Sequence, residues 1–415
     1  MSRTDRPAPP TAALRRARLA TFAFFGLNGF VLGMWIVHIP VIEERTGVSH
    51  STLGALLLVL GGAALASMQV AGPLSDRLGH RTVVTGAGIL ISAAVIAPGL
   101  ATGPWALAAA LVALGLGNGG LDVAMNAHAV EVERGYGRPV MSAFHAVFSV
   151  GSVAAAAVGA PLLAHQVAPG ATLTVVAVVG IVAACLAGRG LLAELPPQQE
   201  AAGAPADAAD TGSGTGRRPL GRALWLLGAL TFALMLCEGV AYDWSTLHLR
   251  DVLDASVGTA ALAYGAFSVA MTGGRFAADR VSALLGPVRV VRYGAALAAV
   301  GLATAAASPW IAGALAGWTL FGIGLSGCVP QFFTAAGNLD PNASGAAIAK
   351  VGGLGYLGLL AGPAVIGALT HWMPLNAAFV LPVVLCVVGA ASARVLRPAA
   401  ARSQAAVAVE SSAEA

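Results

Sequence analysis

The sequence predicts an all-α polytopic membrane protein of twelve transmembrane helices built as two six-helix pseudo-repeats. Three observations lead there. First, 57% of the 415 residues are hydrophobic and only 10% charged, with a mean hydropathy of +0.79. A soluble domain carries roughly 25% charged residues, so the surplus apolar surface must face lipid. Second, the apolar residues form continuous runs of about the 20 residues that a bilayer-crossing helix needs. A barrel wall would instead show alternating segments of about ten residues. Third, 20 of the 22 arginines fall in the two tails, in every second loop or at the run ends beside them.

In chain order the runs lie near 19–42, 51–71, 82–101, 104–130, 140–164, 171–192, 222–248, 257–278, 288–308, 310–333, 344–370 and 375–396. The first follows Arg3, Arg6, Arg15, Arg16 and Arg18. It is too long for a signal-peptide core and has no small-residue cleavage site behind it, so it reads as an uncleaved span. Between the sixth and seventh runs, residues 193–221 contain Pro196-Pro197-Gln198-Gln199-Glu200 and then mostly Ala, Gly, Asp and Thr. Such a segment has no apolar periodicity and reads as a flexible linker. The expected organisation is an N-terminal tail (1–18), one six-helix half (19–192), the linker (193–221), a second half (222–396) and a C-terminal tail (397–415).

Short loops rich in arginine stay on the cytoplasmic side. That rule puts both termini in the cytoplasm and leaves only Arg45 and Arg250 outside. One miscounted span would flip every later loop, so the bias supports the number twelve as well as the direction. Lys350 is the single lysine, and this preference for arginine fits a GC-rich bacterial genome. A multi-pass protein of a bacterial cytoplasmic membrane is expected, and the charge gives no reason to invoke nucleic acid. Cys185, Cys237, Cys328 and Cys386 stand alone in separate runs, which suits small buried hydrophobes.

The two halves repeat. Gly72-Pro73-Leu74-Ser75-Asp76-Arg77 after span 2 returns as Gly274-Arg275-Phe276-Ala277-Ala278-Asp279-Arg280 after span 8, the aspartates 203 positions apart. Gly115, Gly117 and Gly120 match Gly322, Gly324 and Gly327 at 207. Gly151 and Pro161 match Gly355 and Pro363 at 204 and 202.

The full loop Gly72-Pro73-Leu74-Ser75-Asp76-Arg77-Leu78-Gly79-His80-Arg81 resembles the G-x-x-x-D-R-x-G-R-R signature of the major facilitator superfamily, with His80 replacing the first base of the closing pair. The resemblance covers essentially the whole chain. It implies a latch that biases the two halves between outward-open and inward-open states, made here by Gly72, Asp76, Arg77, Gly79 and Arg81, with Arg275, Asp279 and Arg280 as the second copy. Physically, the acid can accept from a neighbouring helix N-terminus, and the bases can meet Glu131 or Glu133. The stretch from Gly117 to His128, then Arg138 to His145, and Glu238 to Asp251 resemble the branch containing the rhizopine-cluster membrane protein MosC and its enterobacterial inner-membrane relatives. Two motifs of drug/proton antiporters are not matched. The span 4 arginine and glutamine would stand at Leu111 and Leu114, and the adjacent Gly-Pro of span 5 appears only as Gly159-Ala160-Pro161.

Polar groups at membrane depth are costly and therefore candidates for function. Asn118, Asp122 and Asn126 fall at i, i+4 and i+8, one face of span 4. His145 lies at a similar depth in span 5, where an Asp122–His145 pair can hold a proton near neutral pH; hydrogen-bonded packing is the alternative. Lys350 occupies the matching place in span 11 and either faces the cavity or snorkels to the interface. Glu238 near the middle of span 7 overlays Asn28 of span 1, with Asp243 one to two turns further out. Glu238 is the first choice for a protonation site, because a desolvated carboxyl can cycle between protonated and charged forms. Trp35 and His38 in span 1, and Trp244 and His248 in span 7, are candidates for an outer gate or for interfacial anchors.

The expected activity is secondary active transport of a small organic molecule by alternating access, coupled to protons. A transporter-like receptor or scaffold that binds without transporting is the alternative, though the C-terminal tail is short for signalling. No enzyme is expected, since HExxH, GxSxG and the phosphate-binding G-x-x-x-x-G-K-[ST] loop are all lacking. No cofactor or metal is expected. The partners anticipated are the substrate, protons and the lipid bilayer, with the chain a monomer.

Overall fold

The computed structural model describes residues 11–192, 217–339 and 343–397. Most of the linker, 193–216, and the C-terminal tail from 398 lie outside the described residues. Among those described, eleven helices are long and apolar enough to cross a membrane. In chain order they are α1 (Ala12–Thr46), α2 (His50–Leu78), α3 (His80–Leu100), α4 (Pro104–Tyr136), α5 (Met141–Ala164), α6 (Pro169–Gly188), α7 (Arg217–Val252), α9 (Pro287–Ala307), α10 (Ile311–Gly337), α11 (Ser344–Leu369) and α12 (Leu375–Leu396). The twelfth long helix is α8 (Val257–Leu285), whose last turns carry Arg275, Asp279 and Arg280. It stands where the eighth span is expected.

The internal repeat is visible in how the helices start and stop. The hydroxyl of Ser49 caps α2 by accepting from the Thr52 amide, and Ser256 does the same for α8 with Thr259, at 3.2 and 3.3 Å. Such a cap satisfies one of the unpaired amides of a first turn. Both helices then end on a glycine in the left-handed region, Gly79 at φ 89° and Gly286 at φ 76°, a conformation that a side chain resists. The equivalent residues lie 207 positions apart at each end.

Helix-helix packing repeats in the same way. A Cβ on Gly115 would fall on the Leu60 carbonyl oxygen, and one on Gly322 would fall on that of Phe267. Small residues at these sites let backbones touch, which is how helices associate where lipid supplies no hydrophobic drive. The same close approach pairs Gly29 of α1 with Phe148 of α5, and Gly239 of α7 with Leu359 of α11.

Two helices are broken where the sequence forces it. α10 divides at Gly327 into Ile311–Ser326 and Cys328–Gly337, ahead of Pro330, which lacks the amide that would continue the ladder. α3 divides at Val95, before Pro98. The break in α10 redirects its last ten residues, including Phe333, toward the other half.

Two helix pairs make the most extensive contact between the halves. α2 runs antiparallel to α11, with Gly72 against Gly345 and Ala349, Gln69 against Gly353, and Gly61 against Leu360. α5 meets α8 near its start.

Candidate functional site

At the arginine-rich face the two halves are tied by carboxylates that cap helix N-termini. Asp76, on the last turns of α2, accepts from the amides of Gly345 and Ala346 at the start of α11, at 2.8 and 2.9 Å. Asp279, in the corresponding place on α8, accepts from Ser142 and Ala143 at the start of α5, also at 2.8 and 2.9 Å. Each bond set crosses from one half to the other. The partial positive charge of a helix N-terminus and its unpaired amides favour a carboxylate there.

Further bonds surround this pair, and those to Thr334, Gly337 and Asn338 cross between the halves. Glu133 accepts from the Val140 and Met141 amides at 2.7 and 2.8 Å and from the Thr334 hydroxyl at 2.7 Å. Arg134 donates to the Asn338 side chain at 2.5 Å and to the Gly337 carbonyl. His80 Nε2 lies 3.3 Å from Glu131, so the departure from the family motif still supplies a partner for that acid. Arg77 and Arg280 are exposed.

Deeper between the halves, Glu238 of α7 forms an ion pair with Arg275 of α8 at 3.2 Å, their side chains 9% and 13% exposed. The same carboxylate oxygen accepts from the Tyr242 hydroxyl at 2.7 Å. The other arm of Arg275 donates to Ser149 Oγ, on α5 of the opposite half, at 2.9 Å, and Ser149 in turn donates to the His145 carbonyl at 3.3 Å. A hydrogen-bonded chain therefore runs from Tyr242 through Glu238 and Arg275 into the N-terminal half. The His145 ring packs edge-on against Phe25 at 5.2 Å and stacks on Phe333 of α10 at 5.9 Å.

A second polar group gathers on α4. Asn118 donates to the Tyr356 hydroxyl of α11 at 3.0 Å, again across the halves. Asn126 donates to the Asp122 carbonyl at 2.8 Å and approaches its carboxylate at 3.4 Å. Among the described residues, several buried polar atoms on these helices have no hydrogen-bond partner: Asn28 Oδ1, Asn118 Oδ1, Asn126 Oδ1, His145 Nε2 and Arg275 Nε. An unsatisfied buried polar atom costs about 1–3 kcal/mol, so each of these atoms is a point where a polar ligand can be received.

Twelve long helices, an inverted pair of capping aspartates and a repeat that holds through caps, glycines and latch are features of one architecture. A model of the Major Facilitator Superfamily matches residues 19–337 and 240–412. The chain belongs to the Major Facilitator Superfamily. An uncharacterized MFS-type transporter of Yersinia pestis is 33% identical over 377 residues, covering 91% of this chain and 95% of that protein. Membrane protein MosC of Rhizobium meliloti is 29% identical over 372 residues, covering 88% of this chain and 86% of MosC. Among solved structures, the superfamily transporter FucP in its outward conformation superposes with a TM-score of 0.74 at 15% identity, covering 92% of this chain and 98% of FucP. The chain is a multi-pass membrane transporter of this superfamily.

Several side chains of this superfamily member stand elsewhere than the sequence suggests. Arg275 groups with the latch by motif, and like Asp279 it bonds across the halves to α5, through Ser149. One helical turn closer to the bilayer centre, it is taken up by Glu238. His38 and His248, candidates for an outer gate or for interfacial anchors, are both fully buried. His38 Nδ1 contacts the Met34 carbonyl at 2.7 Å, while His248 sits among Trp318 and Phe379 at ring distances of 6.1 and 5.3 Å. Ten residues along a helix turns the side chain well off the face of Asn28 or Glu238. Trp35 is likewise 2% exposed, and Trp244 donates to the Pro363 carbonyl at 3.2 Å.

Among the described residues, no hydrogen bond or ion pair joins Asp122 to His145, because the ring is held by aromatic neighbours instead. Asp243 is exposed, and no bond ties it to Glu238. Lys350 lies on an outer flank with Trp225 and Leu65, apart from the Glu238 group. Sequence reasoning did not single out Ser149, Tyr242, Phe333 or Tyr356. Tyr242 had a signal, standing four residues after Glu238 on the same helix face. The others depend on which helices meet.

Proposed function

We propose that this chain is a proton-coupled secondary active transporter that moves a small polar organic molecule across a bacterial cytoplasmic membrane by alternating access, with its arginine-rich face in the cytoplasm. The observation that carries the reading is the chain Glu238–Arg275–Ser149, which joins a carboxylate to the boundary between the halves. While Glu238 is charged, it holds Arg275 where Arg275 also holds Ser149. A proton on Glu238 cancels that attraction, frees the guanidinium and loosens a contact across the halves. One protonation event is thereby linked to the rocking motion.

Two further facts support the reading. Asn118, Asn126, His145 and Asn28 offer buried polar atoms that hydroxyl, amide or carboxyl groups of a substrate can satisfy. FucP, which shares the fold, is a fucose:proton symporter. By this reading Asp76 and Asp279 form the latch, Glu238 takes the proton, and the α4 stripe with Tyr356 contacts substrate.

The test is a screen of sugars, polyols and amphiphilic compounds in proteoliposomes carrying an internal pH indicator. A substrate should drive a pH change with the parent protein and none with Glu238→Gln. A substrate that accumulates without any pH change would dismiss proton coupling, and one bound tightly but never translocated would favour a receptor.

A further inference from the structure

We infer that a groove on the outer flank, walled by α2, α7 and α11, binds an anionic phospholipid whose headgroup phosphate is held by Lys350. The groove has a volume of about 580 Å³ and is lined by Leu65 and Gln69 of α2, Leu224 and Trp225 of α7, and Lys350 and Leu357 of α11. It is separate from the Glu238 group, and the inference does not depend on proton coupling.

The arrangement has the polarity of a lipid. Lys350 is the seventh residue of α11, about 9 Å along the axis from the arginine-rich end at the usual rise per residue. Its side chain is exposed, and among the described residues no carboxylate pairs with it. A lysine at that depth extends its ammonium toward the headgroup layer while its stem stays in the apolar zone. Trp225 is 69% exposed beside it, at the level where amphipathic rings anchor at a membrane interface. Further in, Leu65, Leu354 and Leu357 form aliphatic walls suited to an acyl chain. The Gln69 amide does not compete for the headgroup, because it donates to the Ala349 carbonyl at 3.1 Å.

The groove also spans the two halves, since α2 belongs to one and α7 with α11 to the other. A lipid seated there contacts both sides of the α2–α11 seam, at Gln69 and Lys350. It therefore stabilises the latched arrangement.

The experiment uses the full chain in phosphatidylcholine vesicles containing matched minor amounts of either phosphatidylglycerol or phosphatidylcholine brominated on the acyl chains. The Trp225 contribution to fluorescence is taken as the difference from Trp225→Phe. Brominated phosphatidylglycerol should quench that component about five-fold more effectively than brominated phosphatidylcholine, the preference one lysine near a membrane surface supplies. Lys350→Gln should bring the ratio close to one, with quenching by phosphatidylcholine and the helical circular dichroism unchanged. Excess inorganic phosphate should leave the preference intact. Equal quenching by the two lipids in the parent, or a preference that survives Lys350→Gln, would overturn the inference. Loss of the preference in inorganic phosphate would mean a free-anion site and overturn it too.

Discussion

Asp76 and Asp279 make the same two bonds in opposite directions. Asp76 reaches from the N-terminal half to cap α11, and Asp279 reaches from the C-terminal half to cap α5, each through backbone amides at 2.8 and 2.9 Å. The caps are between halves and not within them, so each is made or lost with the relative position of the halves. That separates their effect on conformation from their effect on folding.

Asp76→Asn should therefore open the arginine-rich face without unfolding the protein. An amide oxygen can keep one of the bonds but loses the charge that suits a helix N-terminus. A cap of this kind contributes about 0.5–2 kcal/mol, so the ratio of latched to open states should fall roughly two- to thirty-fold. Labelling rates of single cysteines at each mouth report the shift. Unchanged rates at both mouths would remove Asp76 from the latch.

Glu238→Gln should abolish accumulation driven by a proton gradient while sparing downhill exchange. It should also lower the melting temperature, because the buried Arg275 loses its partner, and breaking a buried pair costs about 3–5 kcal/mol. Adding Arg275→Gln should recover most of that stability without recovering coupling. Thermal unfolding in detergent, with counterflow in vesicles, distinguishes the two effects. A single variant as stable as the parent, with an unchanged pH dependence of uptake, would place coupling elsewhere, with Asp122 next to be examined.

Asn118 and Tyr356 should be energetically coupled across the halves. A double-mutant cycle of Asn118→Ala and Tyr356→Phe should give about 0.5–1.5 kcal/mol, the usual net value of one hydrogen bond. Strict additivity in unfolding measurements would argue that the bond is not formed in the dominant state.

Gly115→Val and Gly322→Val should each destabilise by about 1–3 kcal/mol, since the new side chain must displace a neighbouring backbone. Gly62→Ala is the control: a Cβ there meets nothing within 4 Å, and the exposed helix should gain up to about 1 kcal/mol. Equal melting temperatures for all three would mean that the close approach of these helices is not a constraint.

The twelve-span plan, the two-fold repeat and the capping role of Asp76 are properties of local chemistry and periodicity. An apolar run long enough for a bilayer, an arginine bias that alternates between loops, and a Gly-x-x-x-Asp turn act over short stretches of chain, and each announces itself without knowledge of its neighbours. The partner of a buried charge does not. Glu238 and Arg275 are 37 positions apart, and Asn118 and Tyr356 are 238 apart. What joins them is the packing of α7 on α8 and of α4 against α11. The same packing buried His38 and His248 and left Lys350 on the flank. Helical periodicity fixes which side chains share a face, but only the positions of the neighbouring helices decide whether that face meets lipid, protein or the space between the halves.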